Sequence, residues 1–356
     1  MPPMTSPATK TLRTPSALAG AGLIAADEIA PLEAVAARYA VAITPYLAEQ
    51  IAAGGPGLAR QYLPDPAELD ATADELPDPI GDHAHMPVKG IVHRYGDRAL
   101  LKITHVCAVY CRFCFRREMV GPGGEGALTP AELAAALAYV AEHREIWEVI
   151  VTGGDPLVLS PRRLAELMAG LASIDHVKVV RFHTRLPVVD PAAVTDELVA
   201  ALRAPGKAVY VALHANHPDE LTPQARAACA KMIDSGIAMV SQSVLLRGVN
   251  DDVAVLGALM RAFVETRIKP YYLHQGDLAP GTSHLRVPIS EGQALMRALR
   301  GDYSGLCQPT YVLDIPGGHG KSPIGPAYVE GVEGAYEVED PQGVRHPYPP
   351  PNLPEA

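Results

Sequence analysis

From about residue 91 onward the chain alternates two textures. Short apolar runs rich in Val, Ile and Leu predict buried strands at 99–106, 147–152, 177–183, 208–214, 237–245, 269–275 and 309–315. Between them, apolar residues at three- and four-residue spacing predict helices at 130–143, 161–172, 195–203, 222–235, 252–265 and 290–300. Such a βα repeat predicts a parallel sheet with helices outside it. Six units and a closing strand are too many for a small sheet and too few for an eight-unit barrel. The polar residues decide between open sheet and barrel. They gather where strands end: Gly153, Gly154 and Asp155; His183 and Arg185; His214 and Asn216; Ser241 and Gln242; His274 and Asp277; Asp314. In a barrel those ends ring one mouth. The expected fold is α/β, an incomplete (β/α)6-type TIM-like barrel over residues 91–325 with a wide lateral opening.

The flanks read differently. Residues 1 to about 16 are rich in Pro, Ser and Thr and predict disorder. From Ala17 to Gln61 the pattern predicts two or three amphipathic helices punctuated by Pro31 and Pro45. Residues 63–90 are acidic, Pro-rich and aperiodic, as suits a long connector lying on the surface. Residues 1–90 are thus a helical region plus connector. From about Pro326 to residue 356 the chain reads as a Pro-rich extended tail.

Composition narrows the partners. The 356 residues carry a formal net charge of -10, which disfavours nucleic acid and anionic membranes, since both attract basic surfaces. No run of 18 uncharged apolar residues is present, and the amino terminus lacks a leader's apolar core and cleavage site, so a cytoplasmic protein is expected.

The stretch Leu100 to Gly121, LLKITHVCAVYCRFCFRREMVG, carries the chemistry. Cys107, Cys111 and Cys114 follow a buried strand in C-x3-C-x2-C spacing, so one loop brings three thiolates together. A closed structural zinc site and ordinary ferredoxin clusters take four ligands. Three would leave one iron of a four-iron cluster open to substrate or cofactor; a zinc site borrowing a distant His, or cysteines buried by coincidence, are the alternatives. A disulfide is disfavoured because Cys229 and Cys307 are single and distant. With Phe113 before the last cysteine, this spacing resembles the cluster-binding loop of radical S-adenosylmethionine (SAM) enzymes.

Two further segments matter. Val151 to Pro156, VTGGDP, ends the second strand with two glycines and an acid; alone it reads as a tight βα turn, but one βα unit after the cysteines it resembles the glycine-rich SAM-binding segment. Asp314-Ile-Pro-Gly-Gly-His-Gly-Lys321-Ser322 is not a phosphate loop, because Ile315 stands where G-x4-G-K-[ST] needs its first glycine. A lysine after a flexible glycine run suits a Schiff base with pyridoxal phosphate (PLP), although on these residues alone a loop lysine on the surface is the simpler reading.

Together these segments resemble the lysine 2,3-aminomutase family of PLP-dependent radical SAM enzymes. The similarity runs from DPIGDHAHMPVKGIVHRYGDRALLKITHVCAVYCRFCFRREMVG, beginning at Asp78, through VTGGDPL, LHANHP, SQSVLLRGVND and KPYYLHQGDLAPGTSHLR to VLDIPGGHGKSPI. The resemblance implies a 4Fe-4S cluster on Cys107, Cys111 and Cys114, and PLP on Lys321 with Arg94 and Arg98 nearby. It places SAM against His214, Gln242, Asp155 and the Gly153–Gly154 turn. It makes Arg116 the partner of a substrate carboxylate and the pair Asp277 and Asp314 the grip on lysine's ε-ammonium. A buried ammonium needs paired carboxylates, so both acids favour lysine. His274 departs from a tyrosine of well-studied members, and Asp252 with a cysteine-free tail implies no zinc, so any homo-oligomer would be held by packing alone.

The implied reaction is conversion of L-lysine to β-lysine. An external electron donor feeds the cluster, SAM yields a 5′-deoxyadenosyl radical that abstracts hydrogen, and the amino group migrates by one carbon. Alternatives are a 2,3-aminomutase of arginine or glutamate, β-lysine supply for modifying a translation factor, or a non-enzymatic cluster protein with Lys321 incidental.

Overall fold

The computed structural model describes residues 9–121 and 126–350. It opens with four helices, α1 (Pro15–Gly20), α2 (Ile29–Arg38), α3 (Pro45–Ala53) and α4 (Pro56–Tyr62). Thr14 and Thr44 cap α1 and α3, accepting the N–H of Ala17 at 3.1 Å and of Leu47 at 3.2 Å, with a proline following each cap. Of the segment expected to be disordered, residues 1–8 lie outside the described residues. The rest is tied down, since Leu12 bridges Ile43 and Thr14 caps α1.

Nine strands form one sheet whose spatial order is the chain order: β1 (Ile91–Tyr95), β2 (Arg98–Thr104), β3 (Glu148–Gly153), β4 (Val179–Thr184), β5 (Ala208–His214), β6 (Ala238–Val244), β7 (Lys269–His274), β8 (Thr310–Ile315) and β9 (Gly320–Pro323). Strands β2 to β8 are mutually parallel, while β1 and β9 add antiparallel edges that do not pair with each other. The crossovers carry α5 (Pro130–Glu142), α6 (Pro161–Ala172), the short α7 (Leu186–Val189), α8 (Asp196–Ala201), α9 (Pro223–Asp234), α10 (Val253–Glu265) and α11 (Ile289–Asp302). This is the incomplete barrel that the βα repeat predicts, with all seven expected strands and six expected crossover helices in place.

The local reasons are plain. Thr129 starts α5 with a reciprocal cap: its side chain accepts from the Glu132 N–H at 3.3 Å while Glu132 accepts the Thr129 N–H at 2.8 Å. Ser160 and Thr222 with their following prolines, Thr195 and Asp252 open α6, α9, α8 and α10 in similar ways. Alternate strand residues build the core: Val149, Val151, Val180, Phe182, Val211 and Leu213 are fully enclosed, whereas Thr152, Arg181, His183 and His214 between them face the barrel interior. One continuous core joins them to Leu18, Ile43, Leu47, Leu58 and Tyr62 of the amino-terminal region, so those helices belong to the barrel's wall.

The flanks add detail to one expectation and correct another. The connector runs over the surface, with Pro66, Leu69 to Asp74 and Leu76 exposed, but it is anchored inward: Glu68 and Asp82 are fully buried, and the Leu76 N–H reaches the Leu278 carbonyl at 2.7 Å. The carboxyl-terminal stretch is not a simple extended tail, because β10 (Val329–Val332), β11 (Ala335–Glu339) and β12 (Arg345–Tyr348) form a separate antiparallel sheet. Val332 faces Ala335 across the two-residue turn Glu333–Gly334, where Gly334 takes φ 84°. Prolines farther along obscure that hairpin signal. Residues 351–356 of the expected tail lie outside the described residues.

Candidate active site

A cavity of about 740 Å³ runs inside the open barrel up to the loop after β2. It is lined by Cys107, Cys111 and Cys114; by Gly153, Gly154 and Asp155; by His214 and Gln242; by Arg94, Arg98 and Arg116; and by Asp277, Asp314 and Lys321. The site residues that the resemblance implies therefore line one chamber; most stand at the carboxyl ends of the parallel strands, while Arg94 lies on β1, Arg98 opens β2 and Lys321 lies on β9.

The three cysteines are free thiols, each half-buried. Burial pushes all three thiols up, Cys111 to about 12, so without a metal they are protonated. Among the described residues no three or more His, Cys, Asp or Glu side chains are grouped to hold a single metal ion. A cube of four irons does not require that, because each thiolate binds a different iron.

The cysteine loop is braced from outside the barrel. Arg112, inside the C-x3-C-x2-C stretch, donates to Glu68 from Nε at 2.9 Å and from Nη2 at 2.5 Å, and Arg117 donates to the same carboxylate. Asp82 accepts from Arg116 at 2.9 and 3.2 Å and from Arg94 at 3.3 Å, with the Lys102 ammonium 3.7 Å away. Burial alone would raise the Asp82 carboxyl, but Arg116, Lys102 and Arg94 outweigh it and bring it below the usual carboxylate range. On the other side of the loop, Glu220 takes Arg185 at 2.6 Å, Tyr62 at 2.8 Å and the Asn216 N–H at 2.6 Å. Arg185 also lies over the Phe113 ring at 5.1 Å.

The glycine turn after β3 is shaped by its own chain. A side chain on Gly154 would strike the Val106 carbonyl, and the Asp155 N–H donates to that oxygen at 3.0 Å. The Asp155 carboxylate accepts from Thr184 Oγ1 at 2.7 and 2.9 Å, the Arg185 N–H at 2.8 Å and the Leu157 N–H at 3.0 Å. Asp155 thus fixes the turns that follow β3 and β4.

Antiparallel pairing of β8 with β9 sets Asp314 opposite Lys321. Lys321 Nζ donates to both Asp314 oxygens, at 2.5 and 2.7 Å, and its backbone N–H donates to Tyr95 Oη at 2.7 Å. The glycine run ahead of the lysine packs on the connector, where His85 reaches the Gly318 carbonyl at 3.1 Å and a side chain on Gly81 would strike Gly318. Burial would raise the Asp314 carboxyl, yet His274 and Lys321 pull it well below its usual value. Asp277, in contrast, is pushed up to about 7 by burial and by the charge on Asp314. Among the described residues its carboxylate has no hydrogen-bond partner.

Sequence reasoning missed Glu68, Asp82, Glu220 and Tyr95. A legible signal existed for the first two: Arg112, Arg116 and Arg117 crowd a loop with one nearby acid, Glu118, and buried cations require carboxylates from elsewhere.

A model of the radical SAM superfamily matches residues 101–256. The L-lysine 2,3-aminomutase of Clostridium subterminale is 40% identical over 291 residues, spanning 81% of this chain and 70% of its own. That of Bacillus subtilis is 38% identical over 289 residues, 81% of this chain and 61% of its own. The glutamate 2,3-aminomutase of Clostridioides difficile is 37% identical over 267 residues, 75% of this chain and 63% of its own. Barrel, three-cysteine loop and superfamily match define a radical SAM enzyme, for which a 4Fe-4S cluster and SAM are the cofactors. Within that class the chain belongs to the lysine 2,3-aminomutase family, and it is an isomerase working on a small molecule with an electron donor. No helix among the described residues is long and apolar enough to cross a membrane.

Proposed function

We propose that the chain is a PLP-dependent 2,3-aminomutase that converts L-lysine to β-lysine. The observation that carries the substrate is the state of the two acids. Asp314 holds a primary alkylammonium, that of Lys321, with both oxygens, and the Asp277 carboxylate has no hydrogen-bond partner among the described residues. A lysine substrate presents the same group, and its charge would relieve the repulsion that raises Asp277. A glutamate side chain would add a third carboxylate to this pair.

The donor set suits the cofactors. Cys107, Cys111 and Cys114 would hold three irons and leave the fourth to SAM, with His214, Gln242 and the Gly153–Asp155 turn beside it. Lys321 would carry PLP, its amine first freed from Asp314. Asp82 is shared by Arg94, Arg116 and Lys102, so positive charge is in surplus near the chamber and suits a phosphate and a carboxylate. Arg116 is fixed through Nε and Nη2, while among the described residues Nη1 has no partner and is available to the substrate carboxylate. Arg98, held over the Tyr95 ring at 3.8 Å, suits the phosphate. When bound, the cluster with SAM supplies the hydrogen-abstracting radical, and PLP supplies the conjugated system across which an amino group can move. The chain supplies placement.

The test is anaerobic turnover of reconstituted protein with PLP, SAM, dithionite and, separately, L-lysine, L-arginine, L-glutamate and L-alanine. β-Lysine is expected from lysine, with kcat/KM falling about 10²–10³-fold in Asp277→Ala and Asp314→Ala, as for removal of one partner of a buried ion pair. Preferential turnover of glutamate or arginine would overturn the substrate assignment.

A further inference from the structure

Five side chains around the mouth join into one chain of polar contacts, hydrogen bonds with one charge contact between His274 and Asp314. His214 Nε2 lies 2.8 Å from Gln242 Oε1, Gln242 Nε2 lies 3.3 Å from His274 Nε2, His274 Nδ1 lies 3.3 Å from Asp314 Oδ2, and Asp314 takes Lys321 Nζ. The directions follow from the acid. Asp314 only accepts, so His274 Nδ1 carries a proton. A neutral His274 then accepts at Nε2, which requires the Gln242 amide nitrogen there and its oxygen toward His214, whose Nε2 must donate. Burial favours the neutral form of both imidazoles, lowering His274 and taking His214 down to about 3. Each link thus has one polarity, and none can be reversed without breaking the next.

We propose that this chain couples the SAM end of the mouth to Lys321, with His274 as the positioning residue that transmits between them. The proposal rests on the reading that Lys321 carries PLP and that His214 and Gln242 face SAM. When Lys321 is engaged by an aldehyde, its ammonium no longer neutralises Asp314. The buried carboxylate then depends on the His274 Nδ1 contact, and losing it becomes more costly. His274 is thereby held in place, and through its Nε2 it holds Gln242 and His214 in the orientation they need to meet SAM. PLP on Lys321 therefore tightens SAM binding, and by reciprocity SAM tightens PLP binding by the same factor.

The experiment uses oxidised, cluster-loaded protein without reductant, so nothing turns over. SAM affinity is measured by equilibrium dialysis with and without PLP, and PLP attachment is followed separately by its absorption band and by borohydride trapping mapped to Lys321. The dissociation constant for SAM is expected to fall at least about fivefold on PLP loading, the lower end of typical coupling. His274→Phe should abolish that difference. His274→Gln, which keeps an acceptor for Gln242 and a donor for Asp314, should retain it. Equal SAM affinity with and without PLP in the unaltered protein would overturn the coupling, and this comparison needs no variant. Coupling that survives His274→Phe undiminished would overturn the role of His274. Failure to trap PLP on Lys321 would instead overturn the proposed function beneath it.

Discussion

Two pairs of acids serve the chamber from different places, Asp277 and Asp314 lining it and Glu68 and Asp82 buried behind its wall, and they are held in opposite ways. Glu68 and Asp82 come from the connector and are fully enclosed, with arginine donors on both oxygens of each. Asp277 and Asp314 come from the loop after β7 and the end of β8, where one is ion-paired and the other has no partner among the described residues. A carboxylate that braces is saturated by the fold. On the proposed function, one that awaits a ligand is left short, and the fold tolerates the repulsion until the ligand's charge arrives.

The largest effect that would separate the two pairs is on stability. Glu68→Ala leaves Arg112 and Arg117 buried without their counter-charge and should cost about 3–5 kcal/mol, read from the denaturant midpoint of the PLP-free protein. Asp277→Ala should cost far less by the same measurement. Equal losses would erase the distinction between brace and grip.

A smaller effect has opposite signs in the two regions. The Asp277 carboxyl, near 7 in the fold and lower in the unfolded chain, binds its proton more readily when folded, so between about pH 4 and 7 it favours the native state increasingly as pH falls. Asp82, held below its usual value, contributes stability above its unfolded-state pKa that is lost as acid protonates it. Asp277→Asn should therefore raise the Tm at pH 8 and leave it unchanged near pH 4. For the same reason KM for lysine should fall as pH rises through about 7, and the variant should lose that dependence. The smallest effect lies at Tyr95→Phe, which removes the bond from the Lys321 N–H. About 0.5–1.5 kcal/mol is expected, seen as a modest loss of retained PLP.

Much of this was legible in the sequence. The βα period and the polar residues at strand ends locate the mouth, and the cysteine spacing with the Lys321 motif identifies what meets there. What escaped is instructive. Glu68 and Asp82 sit in an aperiodic, proline-rich stretch where an acid looks solvated, because burial of a carboxylate by a distant arginine leaves no local pattern. Likewise β1 and β9 are too short for an alternating signal, and the pairing of Asp314 with Lys321 exists only once the β8–β9 register is known. The link through His274 is a property of neighbouring strand ends, which no single segment contains.

The connector also has a history in time. Glu75 accepts the Gly281 N–H at 3.0 Å and Arg286 Nη2 at 2.7 Å, and Leu76 reaches Leu278, partners made roughly two hundred positions later. Such long closures are expected late in folding. A strap emerging early on the ribosome must therefore wait for nearly the whole barrel before it can settle. Glu75→Ala should speed unfolding while leaving the folding rate nearly unchanged, the mark of contacts absent from the transition state.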